Sequence, residues 1–343
     1  MRIPLAILAA TATLATPAMA ENLSVVGSWS SLPLHNRYEA PFWTKTLPEA
    51  SGGKITVELT THNQMGLGLG DIYPLLGQGV YDVAMTVADY AVADAPELEG
   101  LDVPLVALTA DKARAMVDAA RPMVDDIFAT RFGAKVLAIA PYPPQVVFCN
   151  HEINGLDDLA GLKVRASGRM TAKLLEALGA EGVNVSFAEV PGALQNGVVD
   201  CAVTGAGSGY SAGWWEVSTH LLPIPLGGWD PVVTAMNMDK WNGLGPDMQA
   251  MIQGQIKTGF EDPAWDSAQG ALDNDIACLT GTGVCASGEA RSMTLVAVSD
   301  ADFAKARAAL TDVVLPEWAK RAGGDWARRW NASVGAAVGV SIK

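Results

Sequence analysis

Residues 156–200 read LDDLAGLKVRASGRMTAKLLEALGAEGVNVSFAEVPGALQNGVVD. Gly161 to Ala166 is a short apolar run bounded by glycine and serine, the mark of a buried strand. Arg169 to Leu178 then sets Met170, Leu174, Leu175 and Leu178 on one face of a helix, and Gly179 supplies its stop. Val183 to Phe187 reads as a second strand, Pro191 to Asn196 as a helix, and Val198 to Thr204 as a third strand. Strands alternating with helices predict an α/β sheet, whose ligands gather in the loops at the carboxyl ends of the strands.

The same alternation runs upstream. Leu23 to Gly27 is a strand and Ser28 to Pro33 a loop. Asn36 to Ala50 carries Tyr38, Phe42, Trp43 and Leu47 at helical spacing and ends at Ser51-Gly52-Gly53. Lys54 to Thr60 alternates like a half-buried strand. A glycine-rich loop (Gly66, Gly68, Gly70), a helix from Asp71 to Gln78 and the strand Tyr81 to Val87 follow. A second set of elements opens near Ala134, with strands at Lys135 to Ile139 and Gln145 to Cys149. After the aromatic-rich stretch Tyr210 to Trp229 comes a strand, Val232 to Asn237. From Trp241 onward the pattern is mostly helical, interrupted by a cysteine loop and the strand-like Leu295 to Val298. No internal repeat or floppy linker is visible, so two lobes would be joined by strands crossing between them.

Composition narrows the function. Met1-Arg2, the apolar run Ile3 to Thr16 and Pro17-Ala18-Met19-Ala20 have the form of a secretory signal cleaved after Ala20. The roughly 320 residues that remain exceed what one hydrophobic core usually carries, so two lobes are expected. No later stretch reaches about 18 uncharged apolar residues, so no direct membrane insertion is expected after cleavage. A formal net charge of −14 argues against nucleic acid and anionic lipid, which need a basic surface. An acidic protein that binds an anion must do so with one or two buried cations, which directs attention to single arginines. Of the four cysteines, Cys278 and Cys285 bracket a flexible Leu-Thr-Gly-Thr-Gly-Val loop and are expected to form a disulfide. Cys149 and Cys201 form a second bridge if their strands are neighbours, and are otherwise free buried thiols. No Cys-x-x-Cys, His-x-x-x-His or clustered histidine suggests a metal. No Gly-x-Ser-x-Gly elbow or phosphate loop is present, and the Gly66 to Gly70 loop lacks the spacing of a dinucleotide fingerprint. Neither an enzyme nor a cofactor is expected.

At Gly161-Leu162-Lys163-Val164-Arg165, preceded by Leu156-Asp157-Asp158-Leu159-Ala160, the chain resembles the "DLKGLKIR" segment of the DctP-like family, the periplasmic solute receptors of TRAP transporters. Phe187-Ala188-Glu189-Val190 and Ala193-Leu194-Gln195-Asn196-Gly197-Val198-Val199-Asp200 are similar to that family's "SEVYTALQTGVVDG", in order and in register. Gly53-Lys54-Ile55-Thr56-Val57, Gly66, Gly79-Val80-Tyr81-Asp82 and Asp239-Lys240-Trp241 extend the likeness over nearly the whole exported chain.

The resemblance implies an α/β, two-lobed periplasmic binding protein of type II-like form, with an interlobe ligand cleft and crossing strands and helices. The expected division is a signal peptide at 1–20, lobe I at 21–133 with part of 206–255 returning to it, and lobe II at 134–205 with part of 256–300. A helical segment at 301–343 closes the chain. The implied partners are a small organic anion and the membrane subunits of a TRAP permease. Arg165 is implied to point into the cleft and grip the ligand carboxylate with its planar fork. Gln145 stands where many members carry a second arginine, and Thr204 where an asparagine often falls, so a ligand with one acidic group is expected. Cys201 and Pro191 depart from the usual glycine and tyrosine. Trp229 falls at a position lining the pocket in relatives and offers a flat apolar wall, whereas Trp214 and Trp215 are expected to pack the lobe or hinge. Asn36 and Tyr90 are placed near the cleft, with alternative readings as a helix N-cap and a core tyrosine. The expected ligand is a monocarboxylate with an aromatic or apolar body; a sulfonate, a zwitterionic osmolyte or a dicarboxylate is the alternative, as is a sensory or ABC-type module.

Overall fold

The computed structural model describes residues 20–342, so the expected signal segment lies outside the described residues but for Ala20. Eleven strands form two sheets. The first has the order β2-β1-β3-β10-β4, built from β1 (Glu21–Gly27), β2 (Ile55–Thr61), β3 (Val83–Val87), β4 (Ala134–Ala140) and β10 (Val232–Asn237). The second has the order β11-β9-β5-β8-β6-β7, from β5 (Gln145–Cys149), β6 (Lys163–Ala166), β7 (Glu181–Asn184), β8 (Cys201–Gly205), β9 (His220–Leu222) and β11 (Thr294–Leu295). In the first sheet β1 runs parallel to β2 and β3, while β10 is antiparallel to β3 and β4. In the second, β6 is parallel to β7 and β8, and β5 is antiparallel to β8 and β9.

The chain passes between sheets where prolines forbid it to stay in a ladder. Pro141, Pro143 and Pro144 separate β4 from β5, and Pro223, Pro225 and Pro231 punctuate the return from β9 to β10. A proline has no N–H to give a neighbouring strand, so each segment leaves one sheet before joining the other. This corrects one expected boundary. Residues 134–140, expected in lobe II, hydrogen-bond to β10 in the first sheet, because the prolines that end the strand come after it. A helical run over 246–267, about 33 Å long at the usual rise per residue, also leads from the first sheet toward the helix Ala271–Thr280 beside the second.

Strand side chains alternate between two apolar layers that extend over both sheets. In β5, Val147 and Cys149 face one layer, and Val146 and Phe148 the other; Cys201 and Val203 oppose Ala202 in β8. Both faces of these strands are dry, which is why they read as near-continuous apolar runs. The long helix Ala110–Arg131 covers one layer beside the C-terminal helices, and Trp43, Phe260 and Trp214 fill the other. Trp318 and Trp330 donate their indole N–H groups to the carbonyls of Pro96 and Gly100 at 2.8 and 2.7 Å, pinning the Pro96–Leu101 turn. Two boundaries also move. β7 ends at Asn184 rather than Phe187 because its parallel partner β6 ends at Ala166, and β8 begins at Cys201 after a turn at Gly197, whose φ is +66°.

Both disulfides are present, Cys149–Cys201 and Cys278–Cys285. The first pair occupies facing positions of β5 and β8, which resolves the choice that the sequence left open. The two bridges close segments with sequence separations of 52 and 7, and chain entropy assigns them about 4 and about 2.5 kcal/mol respectively. Replacing Cys149 and Cys201 together by alanine is therefore expected to lower the calorimetric Tm more than the same change at Cys278 and Cys285.

Candidate ligand-binding site

β6 lies between β7 and β8, so alternate side chains of its four residues face opposite layers. Val164 enters the layer covered by the helix Arg169–Ala177. Arg165 must then face the other way, toward Trp214, whose ring centre is 5.9 Å from the guanidinium carbon. Only 3 % of Arg165 is exposed. Its Nε donates to the carbonyl of Val185 at 3.0 Å and one terminal nitrogen to that of Val203 at 2.8 Å. Among the described residues no carboxylate lies within ion-pair distance of it. Burial pulls its pKa below the usual guanidinium value, and the Tyr90 hydroxyl and the Asp230 carboxyl oppose that shift from the first half of the molecule.

A cavity of about 520 Å³ opens at this point. The first half contributes Leu69, Gly70, Asp89, Tyr90, Val92 and Ala93, and the second contributes Arg165 to Arg169, with Ala172, Lys173 and the stretch from Gly182 to Ser186. The cavity therefore lies between the two halves, at the carboxyl ends of β3, β6 and β7, where an α/β sheet places its ligands. Arg169 and Lys173 each have an acid to answer, Glu99 at 3.9 Å and Glu176 at 2.6 Å. Arg165 has none. A second cavity, about 330 Å³, lies beside the Pro141–Pro143 crossing and is lined by Arg37, Tyr142 and Asp275; Arg37 is exposed there, so that cavity presents no buried cation.

Carboxyl groups surround the arginine at longer range. Asp102 accepts the backbone N–H of Asp230 at 2.8 Å, and a Cβ on Gly228 would stand 2.0 Å from the same oxygen, so only glycine lets the chain wrap so closely. Burial raises Asp102 and Asp230 above the carboxylate range, each raised further by a carboxyl neighbour, and for Asp230 the charge of Arg165 offsets part of the rise. Asp89 is pushed up to about 7 by burial and then by Asp102 and Glu99.

Of the six residues singled out from the sequence, Arg165 and Tyr90 meet at the cavity. Gln145 is fully buried behind it, with both amide atoms unpartnered among the described residues. Thr204 is buried within β8, opposite Val146. Trp229 is turned inward, its Nε1 donating to Ala107 at 2.7 Å and its ring 6.2 Å from Trp265, and it lines no wall of the cavity. The Pro223-to-Pro231 crossing tucks this indole into the core of the first half instead of the cleft. Asn36 is exposed and caps nothing, because the helical backbone already includes Pro33 and Leu34, which leaves Asn36 inside the first turn. Trp214 packs against Phe148 and Phe187 in the core as expected. The carboxyls of Asp89, Asp102 and Asp230 went unread in the sequence, although each interrupts an apolar stretch, which is the signal that marks a buried acid.

The family model for bacterial extracellular solute-binding proteins, family 7, matches residues 31–314. The uncharacterized protein YiiZ of Salmonella typhimurium is 25% identical over 238 residues, spanning 66% of this chain and 70% of its own. Among solved structures, the Bordetella pertussis extracytoplasmic solute receptor DctP7, which binds pyroglutamic acid, superposes with a TM-score of 0.80 at 18% identity, covering 92% of this chain and 99% of that one. A TRAP periplasmic solute-binding protein from Sulfurospirillum deleyianum with bound succinate gives 0.75 at 22% identity, covering 92% and 100%. These likenesses extend to the two-lobed α/β fold as a whole.

The inward turn of Trp229 has a measurable consequence. Trp229→Phe removes a buried hydrogen bond and leaves the Ala107 carbonyl unpartnered, so it should destabilise the protein by about 1–3 kcal/mol in denaturant unfolding. Ligand affinity should stay within about twofold, since additive effects at sites outside the cavity are small.

Proposed function

Because this chain belongs to family 7 of the bacterial extracellular solute-binding proteins, we propose that it is a periplasmic receptor that closes two lobes around a small organic acid and delivers it to the membrane subunits of a TRAP-type secondary transporter. The family is one of binding proteins, not of enzymes. Arg165 carries the proposal. A guanidinium 3 % exposed, with two peptide carbonyls as its recorded hydrogen-bond partners, leaves donor capacity and a full charge facing a cavity. A buried charge is costly until an opposite charge reaches it, and a carboxylate matches the planar fork with two oxygens. Pyroglutamate and succinate, the ligands of the two related receptors, are acids of this kind.

The finer reading is a ligand with one carboxylate and an apolar body. One unpaired cation, the glutamine at position 145 and walls of Leu69, Val92, Val183 and Val185 support it. Tyr90 takes the part of aromatic wall that Trp229 does not fill. Since the cavity draws residues from both halves, a bound anion favours the closed arrangement by the contacts it makes only there. The proline-punctuated crossings serve as the hinge. The signal is proposed to direct export and to be cleaved after Ala20, which leaves β1 as the first element of the exported chain.

A thermal-shift screen over aromatic acids, keto acids, short dicarboxylates and sulfonates identifies the class, because a ligand at about a hundred times its Kd adds about 2.7 kcal/mol of stability. With the best acid, Arg165→Met should weaken binding by at least about a hundredfold and Arg165→Lys by about tenfold, as loss of a charge-assisted contact requires. An unchanged calorimetric Kd in both variants would remove Arg165 from the site.

A further inference from the structure

One contact that joins the two halves close to the Arg165 segment is made by a carboxyl group. Asp89 sits in the helical turn Ala88–Ala91 that follows β3, and its Oδ2 accepts the backbone N–H of Arg169 at 2.9 Å. Arg169 is the first residue of the helix Arg169–Ala177, which begins just after β6 ends. The approach is so close that a Cβ on Gly168 would lie 1.6 Å from that oxygen, so this contact exists only with glycine at 168. Arg165 and this turn belong to one short segment, and whatever holds the turn against the first half also sets where the guanidinium stands.

The surroundings of Asp89 do not suit a carboxylate. The group is 5 % exposed, and its Oδ1 has no hydrogen-bond partner among the described residues. Asp102, Glu99, Asp230 and Tyr90 face it from the first half, Arg321 from the C-terminal helices and Arg169 from the second half. Both arginines are engaged elsewhere. Arg321 is paired with Glu99 and Glu317, and Arg169 lies 3.9 Å from Glu99. Closing the halves therefore carries a carboxyl from water into a dry seam that already holds three other acids.

We propose that Asp89 is the positioning residue of the closed cleft, clamping the 166–169 turn and with it Arg165 against the first half, and that it does so as the neutral acid, taking up one proton when the halves close. Oδ2 accepts the Arg169 N–H as a carbonyl oxygen, and Oδ1, which is shut off from solvent and lacks a partner among the described residues, carries the proton. The proton comes from solvent and returns to it on opening. The direction of the pH effect follows from the group being raised to about 7 in the closed form, against the ordinary carboxylate value when solvated. The closed form binds the proton more tightly, so closure gains as pH falls through about 7 and levels off near the ordinary carboxylate range. Between about pH 8 and about pH 5.5 the closed-to-open ratio should rise, by at most roughly thirtyfold, because Asp102 and Glu99 stay beside Asp89 in the first half and keep part of its shift in the open form.

This inference rests on the reading that the halves open and close, and small-angle scattering of the ligand-free chain separates the two claims. The radius of gyration should fall as pH is lowered over that range. Asp89→Asn, which keeps the acceptor and mimics the protonated acid, should be compact at both ends of it. Gly168→Ala, which leaves Asp89 free to titrate but puts a methyl where its oxygen sits, should stay open at both. A wild-type chain that opens without regard to pH, or an Asp89→Asn chain that keeps the wild-type pH profile, overturns the proposal while leaving the receptor reading intact. A chain of constant radius at every pH, with or without pyroglutamate or succinate as probe, overturns the closure itself.

Discussion

A guanidinium held out of water, with peptide carbonyls on one side and an empty volume on the other, is the arrangement on which the rest of this molecule depends. Two carbonyls can accept from Arg165, but they cannot neutralise it. The nearest acids, Asp230 foremost, are themselves raised by burial and by one another, so they offer little full negative charge in return. The site is thus short of an anion by construction. That shortage distinguishes it from the many arginines here that are paired on the surface, such as Arg328 with Asp325 or Arg329 with Asp126.

The scaffold explains how such a group is kept in place. Two apolar layers pass over both sheets, so the strands of each half are packed on both faces, while the chain itself crosses between the halves in a few segments. Prolines prevent the crossing strands from extending either ladder, and the disulfide between β5 and β8 ties the strand that enters the second sheet to the one that runs beside Arg165. Glycines at 168 and 228 admit carboxyls to within van der Waals contact of backbone. Polar groups that would be expensive elsewhere are therefore concentrated in one seam, at the junction of the two halves.

Much of this was legible in residues 156–200. The strand that carries Arg165 and the helix stopped by Gly179 follow from short-range periodicity, and Arg165 was placed at a cleft only by a resemblance in register. The helix Ala110–Arg131 was not read, although Met116, Val117, Ala120, Val124, Ile127 and Phe128 keep helical spacing, because its many charges and the internal Pro122 obscure the stripe. Trp229 shows a different limit. Counting along the chain placed it at the pocket wall, but whether an indole faces the cleft or the core depends on how a proline-bounded crossing turns, and no local pattern encodes that.

The acids show why the seam could not be assembled from sequence, even though each of them interrupts an apolar stretch. Asp89, Asp102 and Asp230 are spread over more than a hundred positions of the chain, and each alone resembles a polar residue at a strand end or in a loop. Their character comes from convergence: β3 delivers one, the Pro96–Leu101 turn a second, and the return crossing a third, within reach of an arginine supplied by the other sheet. Convergence of like charges raises every member, since each carboxylate that ionises penalises the next. A receptor that must hold an anion needs positive potential at its cleft, so three ionised acids there would defeat Arg165. A neutral Asp89 lessens that conflict, and under the proposal above it makes one proton of the seam part of the same free-energy balance as closure.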